Sequence, residues 1–314
     1  MPELNCSDLE KSAFRIRNYI TKTPIITNKI LDEKIGAQVF FKCENLQKTF
    51  SFKARGVFNA LLAYREKHGE LPKKVVAVSS GNHGQALAYA CKLLGVPALV
   101  YMAKSTSQLK VSMTKANGAE VILCEKRSQA NELAAKKADD GYFFIHPSDH
   151  DDVIAGQGTA CLEALHEIGE VEAIFAPCGG GGLVVGSLIA ASELSKNAAI
   201  YGCEPLNAND AARSLRDGKI FAFPDSPETI ADGARTLAVS ELCFGYLKKT
   251  AGILEISEED ILHWQKEFGA ATSSLIEPTS ALAVAGAAQY IKNHPEKKGA
   301  KILVIISGGN TERK

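Results

Sequence analysis

Short apolar runs and longer amphipathic stretches alternate along most of this chain. Residues 38–43 read as a strand, and residues 54–67 as a helix with one apolar face. Residues 75–79 form a short apolar run that predicts a strand, followed by a helix over about 82–94. A third strand is expected at 98–102, and the helix after it is ended by the pair Asn117-Gly118. Residues 121–124 predict a strand, and 131–137 lie in a helix. The alternation resumes with strands at 173–176, 200–203 and 302–306 and a helix at 183–194. Apolar strands separated by helices of this length indicate parallel βαβ units, in which helices cover both faces of a sheet.

Two such series imply two open sheets. The predicted fold is α/β, with open twisted sheets flanked by helices. A smaller domain comprises residues 74–149, and a larger, discontinuous one comprises 1–73 and 150–314. The strand around Phe40 must then pair with strands that come much later. A β/α barrel is the alternative that alternation alone leaves open.

Composition narrows the function class. Of the 314 residues, 46% are hydrophobic and 23% charged, which is an ordinary globular balance. Lys plus Arg equal Asp plus Glu at 36 each, so nothing favours nucleic acid or an anionic membrane as partner. No apolar run reaches the length of a membrane span, and the first residues lack a basic-then-apolar secretory pattern. The eight cysteines are scattered, with no CxxC pair, so they read as reduced, buried thiols in a cytoplasmic protein.

Three motifs carry chemistry. Gly179, Gly180, Gly181 and Gly182, followed by Leu183, lie between an apolar strand and an apolar helix. Four glycines let the backbone approach a ligand closely, and the helix start adds free N–H groups, so this is a phosphate cup. It has neither the Lys-Ser/Thr of a P-loop nor GxGxxG spacing. At a second strand-to-helix junction stand Ser79, Ser80, Gly81, Asn82 and His83, a group of donors suited to a substrate carboxylate. The third motif places Lys53 after Phe52 at a helix start. If buried there, its neutral amine is favoured, as a Schiff-base lysine requires.

Taken in order, these motifs resemble the fold-type II enzymes that use pyridoxal 5′-phosphate (PLP), and within them the serine racemase and serine/threonine dehydratase branch. The similarity runs through Ser-Phe-Lys-Ala-Arg-Gly at 51–56, Ser-Ser-Gly-Asn-His-Gly-Gln at 79–85 and Ile-Ala-Gly-Gln-Gly-Thr at 154–159. It continues through the glycines at 179–182, Glu-Thr-Ile-Ala-Asp-Gly at 228–233, Ile-Glu-Pro-Thr at 276–279 and Ser-Gly-Gly-Asn at 307–310. It implies that Lys53 holds the cofactor as a Schiff base and serves as acid/base on one face. Gly179 to Gly182 and Leu183 would bind the phosphate, Asn82 the ring hydroxyl and Ser307 the ring nitrogen. Ser80 would be the acid/base on the opposite face, which racemisation needs. A divalent cation, Mg²⁺ with Mn²⁺ or Ca²⁺ as alternatives, would sit on Glu204, the Ala208 carbonyl and Asp210. The implied reaction is dehydration of L-serine or L-threonine to pyruvate or 2-oxobutyrate plus ammonia by a homodimer. Serine racemisation is the alternative, and 3-hydroxyaspartate dehydration a further one.

Three positions depart from the family pattern or bear on substrate choice. Phe50 replaces a usual glycine, Asn117 stands where animal racemases carry an aromatic residue, and Arg235 raises the dicarboxylate question. Outside this family, a nucleotide-dependent oxidoreductase leaves Lys53 unexplained, and a non-catalytic phosphate binder leaves Ser80 and Ser307 unexplained.

Overall fold

The computed structural model describes residues 3–79, 81–106 and 108–311. Ten strands lie among them: β1 (Ile25–Ile26), β2 (Gln38–Cys43), β3 (Val75–Val78), β4 (Ala98–Ala103), β5 (Glu120–Cys124), β6 (Phe143–Phe144), β7 (Ala173–Pro177), β8 (Ala199–Pro205), β9 (Gly252–Ile256) and β10 (Lys301–Ile306). The α-helices are α1 (Cys6–Ile16), α2 (Lys29–Ile35), α3 (Lys53–His68), α4 (Asn82–Leu94), α5 (Gln108–Ala116), α6 (Arg127–Asp139), α7 (Asp151–Ile168), α8 (Gly182–Leu194), α9 (Asp210–Asp217), α10 (Glu241–Leu247), α11 (Glu258–Thr272) and α12 (Pro278–Asn293).

The strands form two sheets, as the two βαβ series require. The larger has the order β1-β2-β10-β7-β8-β9, and the smaller β5-β4-β3-β6. All pairings are parallel except β1 on β2. The N-terminal strand β2 does pair with the last strand, with Gln38 opposite Lys301 and Cys43 opposite Ile306. β10 has neighbours on both edges and helices on both faces, so Ile302 to Ile306 are all buried. Burial of each such side chain contributes about 1.5–3 kcal/mol relative to exposure.

Glycines set how the helices between and beside the sheets meet. A Cβ at Gly186 of α8 would lie 2.5 Å from the Gly158 Cα of α7, and one at Gly156 would lie 2.6 Å from the Arg55 carbonyl of α3. The Ile-Ala-Gly-Gln-Gly-Thr motif thus lets α3, α7 and α8 pack backbone to backbone. That packing draws the starts of α3 and α8, which bear Lys53 and the glycine cup, toward the same end of the larger sheet.

The periodicity does not predict α12, whose Ser-Ala-Leu-Ala-Val-Ala-Gly-Ala-Ala run has no polar face. The reason is its position: residues 279–287 are all buried, so the helix is covered nearly all round. Such a segment carries no 3.6-residue alternation to read.

Candidate active site

Lys53 is the first residue of α3. Just before it, Ser51 bridges to Gly308, and the Phe52 N–H donates to the Ser307 carbonyl at 3.0 Å. Just after it, the wholly buried Arg55 donates to Glu44 at 2.7 and 2.8 Å and to Glu163 at 2.8 Å from each of two nitrogens. The first turn of α3 is therefore fixed from both sides. The Lys53 amine donates to the Pro147 carbonyl at 3.0 Å. Burial pulls its pKa down to about 8, partly opposed by Cys243 and Glu277. Cys243 is itself held up at about 12 by burial and is a neutral thiol near pH 7, so Glu277 is the effective opposing charge.

The glycine cup stands between β7 and α8. Gly181, the N-cap residue, has φ +95°, a conformation that a side chain disfavours. A Cβ at Gly180 would lie 2.1 Å from Ser148 Oγ, at Gly181 2.7 Å from the Cys243 Cβ, and at Gly182 2.4 Å from Gln157 Oε1. One at Gly179 would lie 3.0 Å from the Gly233 carbonyl. A side chain at Gly180 or Gly181 would run into the Ser148 or Cys243 Cβ, whereas one at Gly182 or Gly179 would require Gln157 or its neighbours to shift. The first-turn N–H groups of α8, Leu183 included, have no intrahelical acceptor and suit an anion.

Asn82 begins α4 and donates its amide to both Glu277 oxygens, at 2.9 and 3.0 Å. Beside it, the Gly81 N–H donates to Ser79 Oγ at 3.2 Å. Ser80 lies outside the described residues. His83 is turned elsewhere: its Nε2 meets the Ile145 carbonyl at 2.9 Å, and burial holds its pKa at about 3. It is a neutral ring buried within the smaller unit, tying α4 to the segment after β6. Ser307, at the end of β10, lies 3.0 Å from Ser280 Oγ, which also donates to the Gly308 carbonyl at 2.7 Å and accepts from the Gly308 N–H at 2.8 Å. Either hydroxyl of the Ser280–Ser307 pair can be the donor, so Ser307 can turn its proton toward an acceptor in the cleft.

Glu204 and Asp210 are both fully buried. The Glu204 oxygens accept from the Ala211 and Ala212 N–H groups at 3.1 and 2.9 Å, while Asp210 accepts from the Thr236 hydroxyl at 3.2 Å. The second Asp210 oxygen is buried without a partner. Burial pushes Glu204 well above the usual carboxylate range and Asp210 up to about 7. Two buried carboxylates with an unpartnered oxygen fit a cation. Among the described residues no three His, Cys, Asp or Glu side chains converge on such a point, so an ion there needs the Ala208 carbonyl and water as further ligands. Arg127 is also near Asp210, and its guanidinium donates to the Arg235 carbonyl at 3.1 Å. Arg235 itself is half-buried.

Several polar residues at this site had no role assigned from the sequence. Glu277, Gln157 and Asn310 stand inside motifs quoted above, where a polar residue beside proline or glycine in an otherwise apolar stretch is the available signal. Ser148 and Arg127 carry no comparable signal, because each is brought in by the tertiary fold alone.

Known proteins resemble the chain closely. The sequence profile of the family described as "Pyridoxal-phosphate dependent enzyme" matches residues 16–308. L-threo-3-hydroxyaspartate ammonia-lyase of Saccharomyces cerevisiae is 39% identical over 310 residues, covering 98% of this chain and 93% of that protein. Serine racemase of Dictyostelium discoideum is 40% identical over 317 residues, covering 99% and 96%. Among solved structures, a T.th. threonine deaminase has a TM-score of 0.91 at 39% identity, covering 99% of this chain and 100% of that one.

Proposed function

This chain belongs to the pyridoxal-phosphate dependent enzymes, and from that premise we propose that it is an ammonia-lyase for small β-hydroxy amino acids. The observation that carries this is a half-buried lysine amine, held at about 8, at the same end of the sheet as a glycine cradle crowded at every position. When bound, pyridoxal phosphate supplies an electron sink for charge developing on the substrate α-carbon. The glycine cup and Leu183 hold its phosphate. Asn82 and Ser307 hold the two polar positions of its ring, and Ser307, being neutral, forces no proton onto the ring nitrogen.

The start of α4, with Ser79 and Gly81, receives the substrate carboxylate, where the helix dipole favours an anion. Lys53 takes the α-proton, its low pKa letting it act as a base near neutrality. The β-hydroxyl leaves with a proton as water, and water later returns to release ammonia. For L-serine the products are pyruvate and ammonia, and for L-threonine 2-oxobutyrate and ammonia.

A second substrate reading draws on Arg127 and Arg235. Two guanidinium groups in one neighbourhood suit a second carboxylate, as in 3-hydroxyaspartate. Serine racemisation, with Ser80 as the opposite-face acid/base, rests on sequence and on the named racemase relative. We further propose Mg²⁺, or Mn²⁺ or Ca²⁺, on Glu204, Ala208 and Asp210. A cytoplasmic homodimer completes the proposal: all eight cysteines are free and buried, which suits a reducing compartment. No described helix is long and apolar enough to cross a membrane. A visible absorption band on adding pyridoxal phosphate, lost on borohydride treatment as the cofactor becomes covalently fixed to the protein, is the expected signature. A protein that stays colourless counts against the whole reading.

A further inference from the structure

The Glu277 carboxylate lies buried in the cleft, and no step above uses it. It is the N-cap residue of α12, and its N–H donates to the Gly308 carbonyl at 3.1 Å, next to Ser307. The carboxylate packs so tightly there that a Cβ at Gly308 would lie 2.6 Å from Glu277 Oε1.

A chain of amides fixes what this carboxylate faces. Asn310 donates to the Thr49 carbonyl and to the Asn82 oxygen, both at 2.9 Å. A carbonyl can only accept, so the amino group of Asn310 must face Thr49. That amino group also reaches Asn82, whose oxygen must then face Asn310. The Asn82 amino group is left facing Glu277, where it meets both oxygens. Two acceptors on one amino group is the pattern of an ionised carboxylate.

We propose that Glu277 is a positioning residue: by gripping Asn82 and holding negative charge in the cleft, it keeps a proton on the Lys53 nitrogen once the cofactor is bound. This deepens the cofactor reading given above and rests on it. The charged groups that face Glu277 are Lys53 of α3, Lys110 of α5 and Asp232 of the turn before Arg235. Lys110 pairs with Asp232, which offsets part of its charge, and Lys53 adds its own positive charge toward Glu277. Burial works against the charge and lifts the Glu277 pKa to about 7, while the Asn82 bonds and the two lysines lower it. The effect is mutual, since Glu277 in turn raises Lys53.

The test is a pH titration of the visible band of the protein loaded with pyridoxal phosphate, together with melting of the cofactor-free protein. In Glu277→Gln the pH at which the band gives way to shorter wavelengths should fall by about one unit, the order expected for one nearby opposite charge. Glu277→Asp, which keeps the charge, should recover at least half of that shift. Asn310→Ala leaves the carboxylate in place but frees the Asn82 amide, and should move the midpoint the same way by less. Cofactor-free Glu277→Gln should melt no lower than the parent, because a buried charge has been removed. An unmoved midpoint in Glu277→Gln overturns the proposal, and if that variant does not fold, an unmoved midpoint in Asn310→Ala does so. If the parent protein shows no visible band, the cofactor reading falls and this inference falls with it.

Discussion

Lys53 and Gln157 donate to the same oxygen, the Pro147 carbonyl, each at 3.0 Å. The lysine is therefore held in the cleft by a bond that the carbonyl does not depend on, and removing it leaves Pro147 still satisfied.

That geometry predicts a stability gain from losing the catalytic group. Burial lowers the Lys53 pKa from its unfolded range to about 8. Between about pH 8 and 10.4 the unfolded chain binds a proton that the folded chain does not, so folding becomes more favourable as pH rises through that window. Below it, the buried cation is a fixed cost. Cofactor-free Lys53→Met should be more stable than the parent at pH 7 by on the order of 1–2 kcal/mol, and the advantage should vanish near pH 10.5. Denaturant titrations at the two pH values check this, and equal differences at both would contradict it.

Gly181 should tolerate no side chain. At Gly181 an alanine meets both a positive φ and the Cys243 Cβ at 2.7 Å. Gly181→Ala should cost roughly 1–3 kcal/mol of stability and abolish saturable cofactor binding, read by the visible band. A variant that binds pyridoxal phosphate like the parent would remove the cup from the site.

Divalent cation should stabilise the folded protein through Glu204 and Asp210. Thermal melting after EDTA treatment should show a lower midpoint, restored by Mg²⁺ at concentrations well above its Kd. Asp210→Asn should abolish the response by removing the unpartnered oxygen's charge. A parent protein indifferent to EDTA, Mg²⁺, Mn²⁺ and Ca²⁺ alike would leave these acids without a ligand role.

Phe50 is a departure that the sequence showed and the backbone explains. It has φ +54° and is 53% exposed, a left-handed conformation that glycine adopts freely and that Phe50 adopts under strain. Phe50→Gly should stabilise the protein by about 0.5–1 kcal/mol, the released strain less the entropy glycine loses on folding. A lower melting temperature in this variant would show that the aromatic ring makes a contact worth more than the strain.

Both sheets were legible because β2, β3, β4, β7 and β10 are short apolar runs between helices. The cup was legible because four successive glycines between an apolar strand and an apolar helix suit little besides close approach to a ligand. Lys53 was legible only in the company of that cup and of the donors at the start of α4. What was hidden is the environment of each group. No local pattern shows that His83 turns to Ile145, that α12 is buried nearly all round, or that Asn310 reaches both Thr49 and Asn82. Those facts arise from contacts between residues tens to hundreds of positions apart.

The most direct test of the account is 2-oxo acid release by the purified protein loaded with pyridoxal phosphate. L-serine, L-threonine and L-threo-3-hydroxyaspartate should be supplied separately, with D-serine followed in parallel. Pyruvate or 2-oxobutyrate should appear with an equal amount of ammonia, with a higher kcat/KM for serine or threonine than for the dicarboxylate and no turnover in Lys53→Ala. A tenfold preference for L-threo-3-hydroxyaspartate would overturn the substrate assignment. Oxo acid release that persists at the parent rate in Lys53→Ala would contradict the account at its centre.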